Sequence, residues 1–349
     1  MIQVASHSLK ILRNYGILVA LALMVIVVQS VNGGFITTAN LLNIGDQWAP
    51  VGIMALGMTF VLIGGGFDLS VGATLAMSAT VGAIVAEHHA PGLAFGLAML
   101  IGVTVGLING VLVTKINVNP FVATLGTAQI VRGGALIISD GGSKPVSNGL
   151  YDYLGAGEIA GVPVSFLIMI LVLVVFGAVL AYSVLGRSLY AIGGNDEASY
   201  LSGVRTDRIR AGTYVLSGAC AALAGAIFAG RIGSGQGNLA SGIELDVIAA
   251  ALIGGVSIAG GQGAVWRAAA GLGLLAVLQN FFNQQNVNAF WQLVIKGIII
   301  VTAVGLDSYS KRPHRKPVAL VLRHTLSRVR RSEARGAPTV AQSPGHSGD

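Results

Sequence analysis

Uninterrupted apolar runs recur along this chain, each about 17 to 25 residues long, and they constrain its fold more than any other feature. A helix of roughly 20 apolar residues crosses about 30 Å of hydrocarbon, whereas the core of a water-soluble domain has no need of such length. Composition agrees: 54% of residues are hydrophobic, 10% are charged and mean hydropathy is +0.76, against roughly 25% charged in soluble domains. The sequence therefore predicts an all-α polytopic membrane protein. Candidate spans fall near residues 16 to 35, 48 to 64, 70 to 86, 92 to 113 and 120 to 138. Five more fall near 164 to 185, 211 to 230, 245 to 259, 264 to 282 and 290 to 306, giving about ten transmembrane helices.

The first run follows a short stretch holding Lys10 and Arg13, as a signal peptide would. It is too long for a signal core and no small-residue cleavage site follows, so it reads as the first span. An even number of spans with a cytoplasmic N-terminus returns the C-terminus to the same side, and the connections follow the positive-inside rule. Inner connections hold Lys115, Arg187, Arg205, Arg208, Arg210 and Arg267; outer ones hold Asp46, Glu87, Asp140, Asp152 and Glu158, with Lys144 and Arg231 against the trend. The net charge of +7 resides in the tail, where nine Lys or Arg from Lys311 onward face only Glu333 and Asp349. The pI near 9.8 thus reports topology, and no nucleic-acid partner is expected. The domain reading is a transmembrane domain over 1–310, with a cytoplasmic loop at 186–210, and a basic cytoplasmic tail over 311–349. In that tail Val318, Val321, Leu322, Thr325, Leu326 and Val329 share one helical face, as in an amphipathic helix lying on membrane lipid, and the composition beyond Gly336 reads as disordered.

Two expected spans are weak. The break at Gly64, Gly65, Gly66, Phe67, Asp68 is very short, and the run at 245 to 259 is short for a crossing. Broken helices at membrane depth are tolerated where they are buried in protein or line a water-filled path. Gly102, Gly106 and Gly110 lie four apart, the small-residue spacing of close helix packing.

Several chemistries are missing. There is no GxxxxGK[ST] loop for ATP, and the glycines at 233, 235 and 237 and at 260, 261 and 263 lack GxGxxG spacing and a preceding strand. Glu87, His88 and His89 are adjacent and do not share a helix face, so they read as an interfacial loop and no metal site is expected. Cys220 has no second cysteine to pair with. No Ser–His–acid set stands out, so no catalytic residue and no cofactor is expected. The connection GRSLYAIGGNDEASYLSGVRTDRIR, Gly186 to Arg210, is richer. Asn195 suits an N-cap, Asp196 and Glu197 suit the positive end of a helix dipole, and Gly203 suits the position after the last turn, which predicts a two-turn helix over 196–202. Such a helix is either a docking element or a turn in a solvated connector.

That loop resembles the cytoplasmic coupling loop of permease subunits of ABC importers for ribose, xylose, galactose and related sugars. Further stretches resemble the same family: GMTFVLIGGGFDLSVGA, NPFVATLGTAQIVRGGALIIS, ELDVIAAALIGGVSIAGGQGA and the ending LVIKGIIIVTAVGLD. Together they cover most of residues 50 to 307. The resemblance implies a permease in a bacterial inner membrane that passes a sugar from periplasm to cytoplasm. It implies partners too: an ATP-binding subunit, separate or as a fused double ATPase, a second permease copy or paralogue, and a periplasmic sugar-binding protein. Carried onto this sequence, Gly186, Arg187, Gly193, Gly194, Asn195, Asp196, Glu197 and Gly203 would form the ATPase-coupling loop. Asp68, Arg132, Asp246 and Lys296 match the family and would either line the pathway or pair across helices, or lie near an interface and snorkel, Asp68 leaning to structural work at the tight break. Asn280, with nearby amides, would bond sugar hydroxyls or cap helix ends. The chain departs from the family at Trp266 and Arg267 and at NFFNQQN, Asn280 to Asn286. The alternative is an ion- or proton-coupled secondary transporter of a small polar solute, which calls for an intramembrane carboxylate relay.

Overall fold

The computed structural model describes residues 2–88, 90–147 and 149–310, with side chains from Tyr15 to Thr302. The expectations for an amphipathic helix on 318–329 and for disorder beyond it lie outside the described residues. The packed helices belong to one unit that ends at Val304.

Nine of the ten expected apolar runs lie largely within helices, the run at 245 to 259 being helical only to Ile253, and most ends are set by local chemistry. α1 covers Ile2–Val31. Thr37 caps α2 (Thr38–Ile63), its hydroxyl accepting from the Asn40 amide at 3.3 Å. α2 begins at Thr38 rather than near 48, so Asp46 lies inside a helix and not in the expected outer connection. α3 is Val71–His88 and α4 is Pro91–Thr114, with proline in the first turn, where its missing N–H costs nothing. α5 (Pro120–Ser139) repeats that device behind Asn119, whose side chain accepts from the Phe121 amide, and ends on Asp140 in the left-handed region. Then come β1 (Ser143–Pro145), α6 (Gly149–Ala156), and β2 (Glu158–Ile159) paired with β3 (Val162–Pro163). α7 is Val164–Tyr182, α8 Val184–Gly194, α9 Asp196–Leu201 and α10 Thr206–Ile232. β4 (Ser234–Gln236) pairs antiparallel with β1, Lys144 opposite Gly235, which brings the connections after α5 and α10 to the same end. α11 (Ile243–Ile253), α12 (Val265–Gln284) and α13 (Ala289–Ser310) complete the chain.

Among the described residues, seven helices are long and apolar enough to cross a membrane: α2, α3, α4, α5, α7, α10 and α12. The apolar parts of α1 and α13 are shorter. α11 has 11 residues, about 16 Å at 1.5 Å per residue, and does not cross by itself. The rest of the eighth run, 254–259, and the residues up to 264 are a succession of turns with positive φ at Gly255, Gly260, Gly261 and Gly263. Every residue of α2 from Trp48 to Ile63 is buried, whereas α7 buries only Val164, Ser165 and Leu180. α2 is thus the axis of the bundle, and α7 turns most of its apolar surface to the surroundings, as a lipid-facing helix does. The glycine stripe on α4 packs against α10: a Cβ on Gly102 would lie 2.2 Å from the Gly218 carbonyl oxygen, and one on Gly106 2.3 Å from that of Tyr214. Its role is close backbone approach.

Candidate functional site

The connection after α7 is a two-helix hairpin, not a loop with one helical turn. α7 stops where Ser183 turns extended, and the Ser183 hydroxyl then accepts from the Gly186 amide at 3.0 Å to start α8. Gly186, Leu189 and Ile192 form its buried face. Asn195 breaks the helix and caps the next, its Oδ1 accepting from the Ala198 amide at 2.9 Å. The two-turn helix expected over 196–202 is α9. It closes through Gly203, at φ +82°, with Gly203 N–H donating to Tyr200 O and Val204 N–H to Ser199 O. Arg210 holds Asp196 at 2.8 Å, tying α9 to α10, and Lys115, at the end of α4, holds Asp207 in the first turn of α10 at 2.9 Å. Glu197 is exposed, and so are Tyr200 (69%) and Leu201 (78%). Tyr200 and Leu201 thus put an aromatic and an aliphatic side chain next to each other on the outside of α9's last turn.

The root of the hairpin meets both helix breaks. A Cβ on Gly193 would lie 1.9 Å from Ile63 O, at the end of α2, and 2.3 Å from Gly261 N, in the turns after α11. Gly261 N–H donates to Ile63 O at 2.9 Å. The Tyr190 hydroxyl donates to Gly263 O at 2.7 Å, and burial pushes its phenol above the ordinary value against the nearby Arg267 cation, so it stays a neutral donor. Gly194 touches nothing within 4 Å of where its Cβ would be. The two adjacent glycines therefore differ: a side chain on Gly193 would collide with the seam, whereas Gly194 meets Gly261 through its backbone and has open space where a Cβ would go.

The ionisable residues expected on the pathway do not converge in one pocket. Asp68 is fully buried in the connection from α2 to α3, where Oδ1 accepts from the Ser70 amide at 3.0 Å and the Ser70 hydroxyl at 2.6 Å. Asn109 donates to the same hydroxyl at 2.8 Å. Asp68 therefore holds the start of α3. Asp246, in the first turn of α11, pairs with Lys296 of α13 at 3.1 Å, and the ammonium lies 5.8 Å from the Trp48 ring centroid. Arg132 of α5 hydrogen-bonds Ser241, just ahead of α11. Both pairs thus attach to the entry of the half-length helix. Glu244 adds a buried carboxylate oxygen without a hydrogen-bond partner beside Gly72. Asn280 lies at the other end of α12, exchanging hydrogen bonds with Asn40 at 3.0 and 3.3 Å and accepting from Gln284 at 2.9 Å. Among the described residues no group of three or more His, Cys, Asp or Glu is placed to hold a metal.

Sequence reasoning missed Ser183, Tyr190, Ser241 and Asn40. Ser183 was within reach, since a serine directly before an amphipathic stretch is an N-cap signal. Ser241 and Asn40 had none, because their partners are far away in the chain.

Residues 40–304 match the family described as "Branched-chain amino acid transport system / permease component". The ribose import permease protein RbsC of Bacillus subtilis is 40% identical over 306 residues, 86% of this chain and 94% of that protein. RbsC of Haemophilus influenzae is 36% identical over 83% of this chain and 92% of its own length. The L-arabinose transport system permease protein AraH of Escherichia coli K12 is 38% identical over 88% and 94%. No solved structure matches. The chain belongs to this permease family: it is a multi-pass bacterial inner-membrane permease subunit of an ABC importer and not an enzyme, ATP hydrolysis being the work of a partner subunit.

Proposed function

We propose that this permease carries a neutral, monosaccharide-sized sugar from periplasm to cytoplasm, driven by an ATP-binding subunit that docks on α9. The observation that carries the coupling half of this reading is the seam at Gly193, where the root of the docking hairpin touches the end of α2 and the turns after α11. A pull on α9 reaches both breaks without passing through a flexible linker, as rigid-body switching between inward-open and outward-open states requires. The sugar half rests on relatives named for ribose and L-arabinose. The polar groups around the entry of α11, Arg132, Ser241, Asp246 and Lys296, are the donors and acceptors along the path, and Asp68 holds the break below them. Asn280 belongs with the amides that join helix ends.

Ten crossings with both termini cytoplasmic fit this arrangement. α1 and α13 count as crossings, and the segment 234–242 together with α11 makes the eighth. The acidic connection at 140–158 and the end of α10 then share the outer face, while Lys115, Arg187, Arg205, Arg208, Arg210 and Arg267 share the inner one. A second copy or paralogue supplies the other half of the pore, a periplasmic sugar-binding protein delivers the substrate, and the ATPase is either two subunits or one fused double subunit. The test is uptake into proteoliposomes holding the permease, its ATP-binding subunit and its binding protein. Uptake is expected only with ATP, and Glu197→Arg is expected to abolish it while the permease still assembles in the membrane. Accumulation by the permease alone on a proton gradient would overturn the reading.

A further inference from the structure

A groove of about 600 Å³ lies between the second half of α7, α8 and the start of α12. Leu173, Gly177 and Ala181 form its apolar wall, and Arg187, Tyr190 and Trp266 stand at its α8 end. From Leu173 to Tyr182 the wall rises about 14 Å at 1.5 Å per residue, close to half of the roughly 30 Å hydrocarbon core. Leu171, Val174 and Val175 on the same stretch of α7 are exposed, so hydrocarbon and not water surrounds this wall. Arg187 is exposed and bonds only weakly to the Tyr182 carbonyl, at 3.4 Å; among the described residues it has no carboxylate partner. Trp266 stacks on Tyr15, ring centroids 5.9 Å apart, with the Arg267 guanidinium 5.6 Å from its centroid. Aromatic and cationic side chains gathered at one depth mark the headgroup level of a leaflet.

We propose that this groove binds one anionic phospholipid of the cytoplasmic leaflet, its phosphate at Arg187 and an acyl chain along Leu173, Gly177 and Ala181. The inference rests on the proposed orientation, which puts α8 on the cytoplasmic side. Two features select the occupant: an apolar trough one leaflet deep, and an uncompensated guanidinium at its polar end. Basic pockets between helices on that side suit anionic headgroups. The assignment also separates the residues of the hairpin: Glu197, Tyr200 and Leu201 face the ATP-binding partner, and Arg187 faces lipid. A lipid so held lies against α8 at Arg187 and at Tyr190, the latter three residues before the Gly193 seam, and leaflet composition would bear on coupling.

The test is native mass spectrometry of the purified full-length permease titrated with phosphatidylglycerol or phosphatidylcholine. The wild type is expected to retain phosphatidylglycerol over phosphatidylcholine. Arg187→Gln should lower that preference about fivefold, the loss of roughly 1 kcal/mol per basic residue near an anionic surface. Gly177→Phe should remove retention of both lipids; nothing lies within 4 Å of a Cβ there, so the ring fills the groove without disturbing the helix. Unchanged preference in Arg187→Gln, or unchanged retention in Gly177→Phe, would overturn the proposal. Binding is read without transport, so failure of ATP-driven uptake and failure of lipid binding are separate results.

Discussion

Where α2 ends, the chain is joined through its backbone: Ile63 O, Gly261 N and Gly193 Cα meet with no side chain between them. Where α2 begins, the joining is done by amide side chains. Asn40 of α2, Asn280 and Gln284 of α12, and Asn32 just after α1 share hydrogen bonds, and Gln292 of α13 reaches Gln279 and the Val287 carbonyl at 2.7 Å. The first junction has one geometry and no substitute for it. The second offers several donors and acceptors to each partner, so one lost amide can be replaced by another. An element that must transmit a displacement needs the first kind of contact. One that only keeps helix ends together is served by the second. This chain has the unforgiving junction at the α8–α9 hairpin and the forgiving one at the opposite end.

The contrast predicts a graded series of effects. Gly193→Ala should be the most damaging: a methyl cannot fit 1.9 Å from a carbonyl oxygen. The backbone must part, at up to about 3 kcal/mol, and ATP-driven uptake should be lost, whereas Gly194→Ala should transport normally. Equal effects at the two glycines would remove the seam from the account. Lys296→Met comes next, because it leaves Asp246 without its cation inside the bundle, at about 3 kcal/mol. Thermal unfolding should show that loss and its recovery in the Asp246→Asn, Lys296→Met double variant. Gly203→Val should cost about 1–2 kcal/mol for forcing a β-branched residue into the left-handed region, loosening α9; the expected readout is weaker affinity for the ATP-binding subunit. Asn280→Ala should be the mildest, about 1 kcal/mol or less, with uptake retained. A loss there as large as at Gly193 would mean that the two junctions do not differ.

The sequence made the helices plain wherever apolar side chains face lipid or core along their whole length. α4, expected over 92 to 113, is Pro91–Thr114, and the cap logic at Asn195 and Gly203 located α9. The first part of α2 escaped notice because TANLLNIGDQ reads as a polar connection. Its polar groups are matched by residues no local pattern can supply: Asn40 by Asn280, and Asp46 by Arg231 at 3.7 Å and by Ser165. α8 was hidden for a related reason. Its final glycines argue against a helix by propensity, and Gly193 is there because another backbone passes through the space a side chain would fill. Contacts such as Gly193 to Ile63 leave only a glycine in the sequence, which permits close approach without naming the partner. Arg132 and Ser241 were opaque in the same way, separated by more than a hundred residues.

If the seam couples them, the α8–α9 hairpin and the turns after α11 move as one body. This is tested most directly by spin-label distances in the complete transporter through an ATP cycle, with Cys220 replaced and labels at Ser202 and Ala259, then at Ser202 and Gln285. The first distance should hold constant between nucleotide-free and ATP-bound states while the second changes. A change from Ser202 to Ala259 as large as that from Ser202 to Gln285 would contradict it.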